Sequence, residues 1–166
     1  MVMAALQSFK ASQQHIMYPE ANGSLRVSFG IVQGVQPRDG IYYLPFSTVQ
    51  GMTAQATDFA STTKQQHVIA AADFSDYASA TLGTLPVSFL STADTASGYA
   101  GAATLNAQAE LVGLLSARLD ESLLSDYDYD PSMQRSIHVD SRYLLWQMEK
   151  VDGATNLTAE MEIVRE

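Results

Sequence analysis

A chain of 166 residues, 46% hydrophobic and 16% charged, has the size and composition of one globular domain with a real core. Its 9 basic and 18 acidic residues leave a net charge of -9, which excludes a nucleic-acid partner, because such affinity is carried by interfacial Lys and Arg. No run approaches the roughly 18 apolar residues of a membrane span, the opening MVMAALQSFK lacks the basic region of a signal peptide, and the absence of cysteine removes disulfides and thiolate chemistry.

Val2, Leu6 and Phe9 recur at helical spacing, which predicts a short amphipathic helix over residues 2–13 with Lys10 and Gln13 outward. From Gly23 to Val32 the sequence alternates Leu25, Val27 and Phe29 with Arg26 and Ser28, the period of a half-buried strand. QPRDG then reads as a turn, Pro37 presetting φ and Gly40 allowing a positive one. Residues 51–80, rich in Ala, Thr, Ser and Gln, read as loop and short helix. TLPVSFLS predicts a strand, and ATLN followed by ELVGLLSARL predicts a hairpin closed at Asn106 to Ala109. Asp140 is placed to cap a helix in which Leu144, Met148 and Val151 share a face beside Leu145, with Gly153 at the αL cap position. A second short helix is expected from Leu157 to Val164. The pattern reads as one α+β or mainly β domain with terminal helices.

Two constellations invite chemistry and do not carry it. Asp126, Asp128 and Asp130 have the 1, 3, 5 spacing of a calcium loop, but Pro131 stands where that loop needs glycine and Ile137 where it needs glutamate. His15, His67 and His138 have no acid placed in sequence to orient them, and His138 sits on a strand between Ile137 and Val139, where a hydrogen-bonded structural histidine is the plainer expectation. No histidine pair has zinc-ligand spacing, so neither metal nor cofactor is expected.

The stretch SGYAGAATLN, Ser97 to Asn106, remains. Glycines at Gly98 and Gly101 flank Tyr99 and Ala100, the arrangement of a turn that bends the backbone sharply and aims N–H groups at a developing oxyanion. Taken with YPEANGSLRVSFG, PRDG, LPVSFLSTAD, GYAGAATLNAQAELVGL and DPSMQRSIHVDSRYLLWQMEKVDGATNL, in that order, the chain resembles the C-terminal part of the bacterial serine dipeptidyl peptidases of the seven and eleven types. These are periplasmic or cell-surface exopeptidases with a chymotrypsin-like double β-barrel and an inserted helical domain.

The resemblance implies a mainly β fold, a chymotrypsin-like β-barrel half with a short N-terminal helix and one or two C-terminal helices. Residues 1–17 would be a helical lead-in, the end of the insertion, and residues 18–166 the C-terminal barrel part. It puts Ala100 on the position of the nucleophilic serine, with the N–H groups of Gly98 and Ala100 at the oxyanion hole. Arg118 falls at the base of the primary specificity pocket, where an arginine binds an Asp or Glu side chain. Ala117 replaces the acid that helps hold the free amine of the substrate, and Ala109 replaces a hairpin glycine. The family's Gly-Gly-Asn-Ser-Gly-Ser-Pro is here Ser97-Gly98-Tyr99-Ala100-Gly101-Ala102-Ala103. The His and Asp of the triad would lie on an N-terminal barrel that nothing upstream of Tyr18 is long enough to form.

Three readings follow. The first is a fragment or inactive relative of a serine dipeptidyl peptidase of the Asp/Glu-preferring branch, inactive alone and periplasmic or cell-surface in setting. The second is a non-catalytic module whose partner is a peptide with an acidic side chain near its N-terminus. The third is a half-barrel that docks an N-terminal barrel half or a copy of itself.

Overall fold

The computed structural model describes residues 2–14, 25–54, 62–96, 98–122 and 128–165. His15, Asp126, Ser97 and the junction between residues 17 and 18 lie outside the described residues.

The helix expected at the start is α1, Val2–Ser12. Lys10 does not point into solvent as expected. Its ammonium reaches Asp128 at 2.6 Å, while Phe9 stays largely exposed. An extended segment, residues 25–34, follows, and here the strand expectation is corrected. It makes a single antiparallel bridge, Val32 to Ser91, and its apolar side chains face outward, with Leu25 92% and Phe29 86% exposed. The inner side is the polar one. Ser28 donates to the Asp94 carbonyl, and a Cβ on Gly30 would stand 2.3 Å from the Ala93 nitrogen.

Strands β1, Val35–Arg38, and β2, Ile41–Tyr43, form a separate hairpin. Pro37 therefore sits within a strand rather than in the turn, which is made by Asp39 and Gly40, the latter at φ 78°. A five-stranded antiparallel sheet then assembles from β3 (Phe46–Thr48), β4 (Pro86–Ser91), β5 (Ala103–Leu105), β6 (Leu111–Arg118) and β7 (Ser136–Asp140), in the order β3-β4-β7-β6-β5. The fold is mainly β with several short helices, and the sheet among the described residues is open rather than a closed barrel.

The weakly patterned region around 51–80 contains α2, Val49–Ala54, and α3, Thr63–Ala70, with Thr62 capping α3 by accepting from the Gln65 N–H. Its periodicity is weak because a buried polar residue helps hold it. The Gln65 side-chain amide donates to the Tyr143 hydroxyl at 2.8 Å and to Oε1 of Gln147 at 3.1 Å. As the sequence predicts, Asp140 caps α4, Ser141–Trp146, accepting from the Arg142 N–H. The helix continues as a π-turn over Gln147–Val151, and Gly153 follows at φ 69°. Trp146, fully buried, packs with Val49, Tyr77, Leu85 and Val151, and its indole N–H donates to the Asp73 carbonyl. The last helix is shorter than expected. It is α5, Thr155–Thr158, and Leu157, Met161 and Val164 remain about half exposed or more, so the amphipathic pattern has no surface to bury against.

Candidate functional site

The hairpin of β5 and β6 forms where expected, and its closing turn is built by Asn106, whose side-chain oxygen accepts from the N–H groups of Gln108 and Glu110 at 3.0 Å. Ala109 takes the left-handed conformation there, φ 64°, which a glycine would adopt without strain.

At the other end of the hairpin lies the glycine turn. Gly98 and Gly101 have φ of 91° and 88°, which is why residues without Cβ stand at both places. The Ala102 N–H closes the turn on the Tyr99 carbonyl, and the Gly101 N–H donates to the Leu115 carbonyl at 2.7 Å. The turn thus hangs from β6, with Ala100 exposed at its tip.

Immediately beyond Leu115 the register of β6 slips. Leu115 faces His138 of β7, yet Ala117 faces Ile137 and Arg118 faces Ser136, so one extra residue is accommodated between Leu115 and Ala117. This β-bulge decides which way Arg118 points. An unbroken strand would turn it away from the face shared by Leu115, His138 and Ser136, whereas the bulge returns it to that face. Arg118 is half-buried there, and its Nη1 donates to the Thr95 carbonyl at 3.1 Å. Ala117 is exposed. Thr95 belongs to the segment that leads into the glycine turn, so this stretch is tied to β6 twice, by Thr95 to Arg118 and by Gly101 to Leu115.

The face of β7 beneath them is polar. Ser136, His138 and Asp140 are all buried, whereas Ile137 and Val139 are half-buried. Ser136 Oγ shares a hydrogen bond with Thr95 Oγ1 at 2.7 Å and donates to the Ala93 carbonyl at 2.8 Å. His138 Nε2 meets Ser91 Oγ and Nδ1 meets Thr104 Oγ1, each at 2.7 Å, and the ring stacks on Phe89 with centroids 4.8 Å apart. Burial lowers its pKa from 6.5 to about 4. Asp140 binds the Arg142 guanidinium at 3.0 and 2.9 Å as well as capping α4. His138 is accordingly the hydrogen-bonded structural residue that its strand context predicts, and His67 is exposed on α3.

Sequence reasoning missed Thr95, Ser136 and Arg135. The Arg135 guanidinium is buried and donates to the carbonyls of Gln33, Gly34, Pro131 and Gln134, tying the loop before β7 to the extended segment. For Ser136 the signal is the run Ser136-Ile137-His138-Val139-Asp140, where the polar residues, not the apolar ones, alternate inward, and Thr95 and Arg135 lie outside that alternation. In the acidic loop, Asp130 accepts from both the N–H and the hydroxyl of Ser132, and these bonds, the hydroxyl first, hold its carboxyl below the ordinary range. Asp128 is engaged by Lys10.

Comparison with known proteins gives a consistent picture. The Peptidase S46 family profile matches residues 1–163. An Asp/Glu-specific dipeptidyl-peptidase of Shewanella putrefaciens is 34% identical over 98% of this chain and 26% of its own length. Dipeptidyl-peptidase 7 of Phocaeicola vulgatus is 34% identical over 88% of this chain and 21% of its own. The crystal structure of Porphyromonas endodontalis DPP11 in complex with the dipeptide Arg-Asp superposes with a TM-score of 0.77 at 34% identity, covering 81% of this chain and 20% of that one. The chain therefore spans about a quarter or less of the length of these relatives.

Proposed function

The chain belongs to the Peptidase S46 family, and on that premise we propose that it is the specificity-pocket portion of an Asp/Glu-preferring serine dipeptidyl peptidase, unable to hydrolyse peptides by itself. Residues 18–166 are its barrel part and residues 1–17 the helical lead-in. Ala100 occupies the nucleophile position, Gly98 and Ala100 contribute the oxyanion-hole backbone, Arg118 receives the acidic side chain of the second residue of a peptide, and Ala117 leaves the free amine without its acid anchor. By the same family likeness the setting is periplasmic or cell-surface, which fractionation of the source cell tests.

The observation that carries the reading is the bulge in β6. A surface arginine needs no break in strand register, whereas this one brings a guanidinium back to the face of Ser136 and onto the segment that leads into the glycine turn. A guanidinium fork there matches a carboxylate in charge and shape, and an amide only poorly. The test is an NMR titration of peptides whose second residue is Asp, Glu, Asn or Gln. The acidic peptides should bind about fivefold more tightly, a preference that falls with added salt and disappears in Arg118→Ala. Equal affinity for acidic and amide peptides overturns it. Dipeptide release should be absent from the wild type, because alanine at position 100 offers no side-chain nucleophile.

A partner surface is also proposed. The row Leu25, Val27, Phe29 and Ile31 is exposed along one side of the extended segment, and it suits docking against an N-terminal barrel half or a second copy. Size-exclusion chromatography with light scattering, alone and with the N-terminal half of a family member added, reads out either association. A monomer under both conditions would overturn it.

A further inference from the structure

Arg118 does not hold its direction alone. Its Nη1 donates to a backbone carbonyl, that of Thr95, which lies outside the regular strands and has no ladder to fix it. What fixes it is a pair of buried hydroxyls. Thr95 is 7% exposed and Ser136 2%; their side-chain oxygens stand 2.7 Å apart, and Ser136 also donates to the Ala93 carbonyl two residues upstream. Ser136 is at the same time the cross-strand neighbour of Arg118. One hydroxyl thus ties the 93–95 segment to the strand position opposite the arginine.

We infer that Thr95 and Ser136 are positioning residues that set the direction of the Arg118 guanidinium and hence the preference for an acidic over an amide side chain. This rests on the reading of Arg118 as the carboxylate receptor. With Ser136 fixed by β7, the Thr95 hydroxyl sets where its own carbonyl lies, and that carbonyl anchors Nη1 and so helps set the direction of the fork. Without the hydroxyl pair the segment keeps the Ser28 hydroxyl on the Asp94 carbonyl and the Ala93 N–H on Ser91 Oγ but loses the tie from Thr95 to β7, the Thr95 carbonyl drifts, and the guanidinium samples orientations that meet a carboxylate and an amide about equally. A long, flexible cation gains specificity only when its geometry is fixed before binding.

The experiment uses the full chain, with Thr95→Val, Thr95→Ser, Ser136→Ala and Arg118→Ala, and two readouts. The first is the side-chain guanidinium NMR signal of Arg118 in the free protein, assigned by its loss in Arg118→Ala. The second is the ratio of affinities for peptides carrying Asp or Asn as second residue. In Thr95→Val and Ser136→Ala the Arg118 signals should broaden as the guanidinium turns more freely. The Asp/Asn ratio should fall from about fivefold towards unity, while affinity for the Asn peptide changes by less than about twofold. Thr95→Ser, which keeps the hydroxyl, should preserve both. A general loss of packing would instead weaken both peptides together and would not be rescued by serine. Should Ser136→Ala fail to fold, Thr95→Val, nearly isosteric with the wild type, decides. Unchanged Arg118 signals and an unchanged ratio in the folded Thr95→Val variant overturn the inference. If Arg118→Ala alone abolishes the ratio, the carboxylate reading stands and the positioning role falls. If the signals respond but the wild type shows no ratio, the role in orienting Arg118 stands and the carboxylate reading falls.

Discussion

His138 shows how much a single buried residue can say about pH. Both ring nitrogens meet hydroxyls, Ser91 on one side and Thr104 on the other, and a hydroxyl can either donate or accept. The neutral imidazole, with one donor and one acceptor nitrogen, is fully satisfied, so nothing offsets the desolvation of a charged ring and the pKa falls to about 4. The unfolded chain then binds a proton near 6.5 that the folded chain refuses until about 4. Stability from this group is present above pH 6.5 and is lost as pH falls to about 4. His138→Gln, which keeps hydrogen bonding without titrating, should therefore show a shallower loss of melting temperature across that window than the wild type. Parallel curves would remove His138 from the account of acid sensitivity. A second residue-scale expectation concerns Ala109. At φ 64° its side chain costs roughly 1 kcal/mol, partly offset in a glycine variant by the greater freedom of the unfolded chain. Ala109→Gly should raise the melting temperature by roughly 1–3 °C, read by thermal denaturation, and a decrease would mean that the turn is not strained.

At the scale of the element, the difference between what sequence reveals and what it hides is a difference in kind of signal. Caps and turns are local, and Asp140, Gly153 and the Asn106 turn are where their chemistry puts them. Strand existence is also local, as β4 and the β5–β6 hairpin show. Strand facing is not. Apolar alternation points Ile137 and Val139 of β7 inward, yet the sheet buries Ser136, His138 and Asp140, because each finds partners on β4, β5, α4 or the 93–95 segment that no local pattern encodes. The bulge in β6 is equally invisible, since Leu-Ser-Ala-Arg carries no bulge signature, and it alone makes Arg118 a neighbour of Ser136. The candidate site was legible only through family resemblance, which singled out Ala100 and Arg118 without a structural link between them. The geometry links both to one strand: the glycine turn hangs from Leu115, and the register slips directly after it. Gly113 belongs to the same argument. A Cβ there would stand 2.6 Å from the Val139 carbonyl and 2.8 Å from the Phe89 ring that stacks on His138, so the strand needs a glycine where its alternation alone would tolerate any small residue.

For the molecule as a whole, the extended segment 25–34 poses the energetic question. Its alternation is that of a strand with one side to bury, but Ser28 and Gly30 are the residues laid against Thr92 to Asp94, while Leu25, Val27, Phe29 and Ile31 look outward. Register explains this. The Val32 to Ser91 bridge and the Thr92 N–H on the Ile31 carbonyl fix the segment, and a slip of one residue would exchange the two sides. It would also drive Phe29 or Ile31 into the space where only Gly30 fits, since a Cβ on Gly30 already meets the Ala93 backbone at 2.3 Å. The apolar row is thus locked outward by a glycine, and it forms a continuous ridge of the sort that a monomeric surface rarely leaves in water. Scattered apolar residues would not distinguish themselves from the ordinary surface, but a ridge gives a hydrophobic dye a place to bind. The chain should enhance the fluorescence of anilinonaphthalene sulfonate at neutral pH while its melt remains cooperative. Replacing Leu25 and Phe29 together by Ser should remove about half of that enhancement or more, without lowering the melting temperature, because neither side chain is buried in the fold. A loss of stability in the double variant would mean that the row packs within the chain itself, and dye binding unchanged by the two substitutions would place the hydrophobic surface elsewhere.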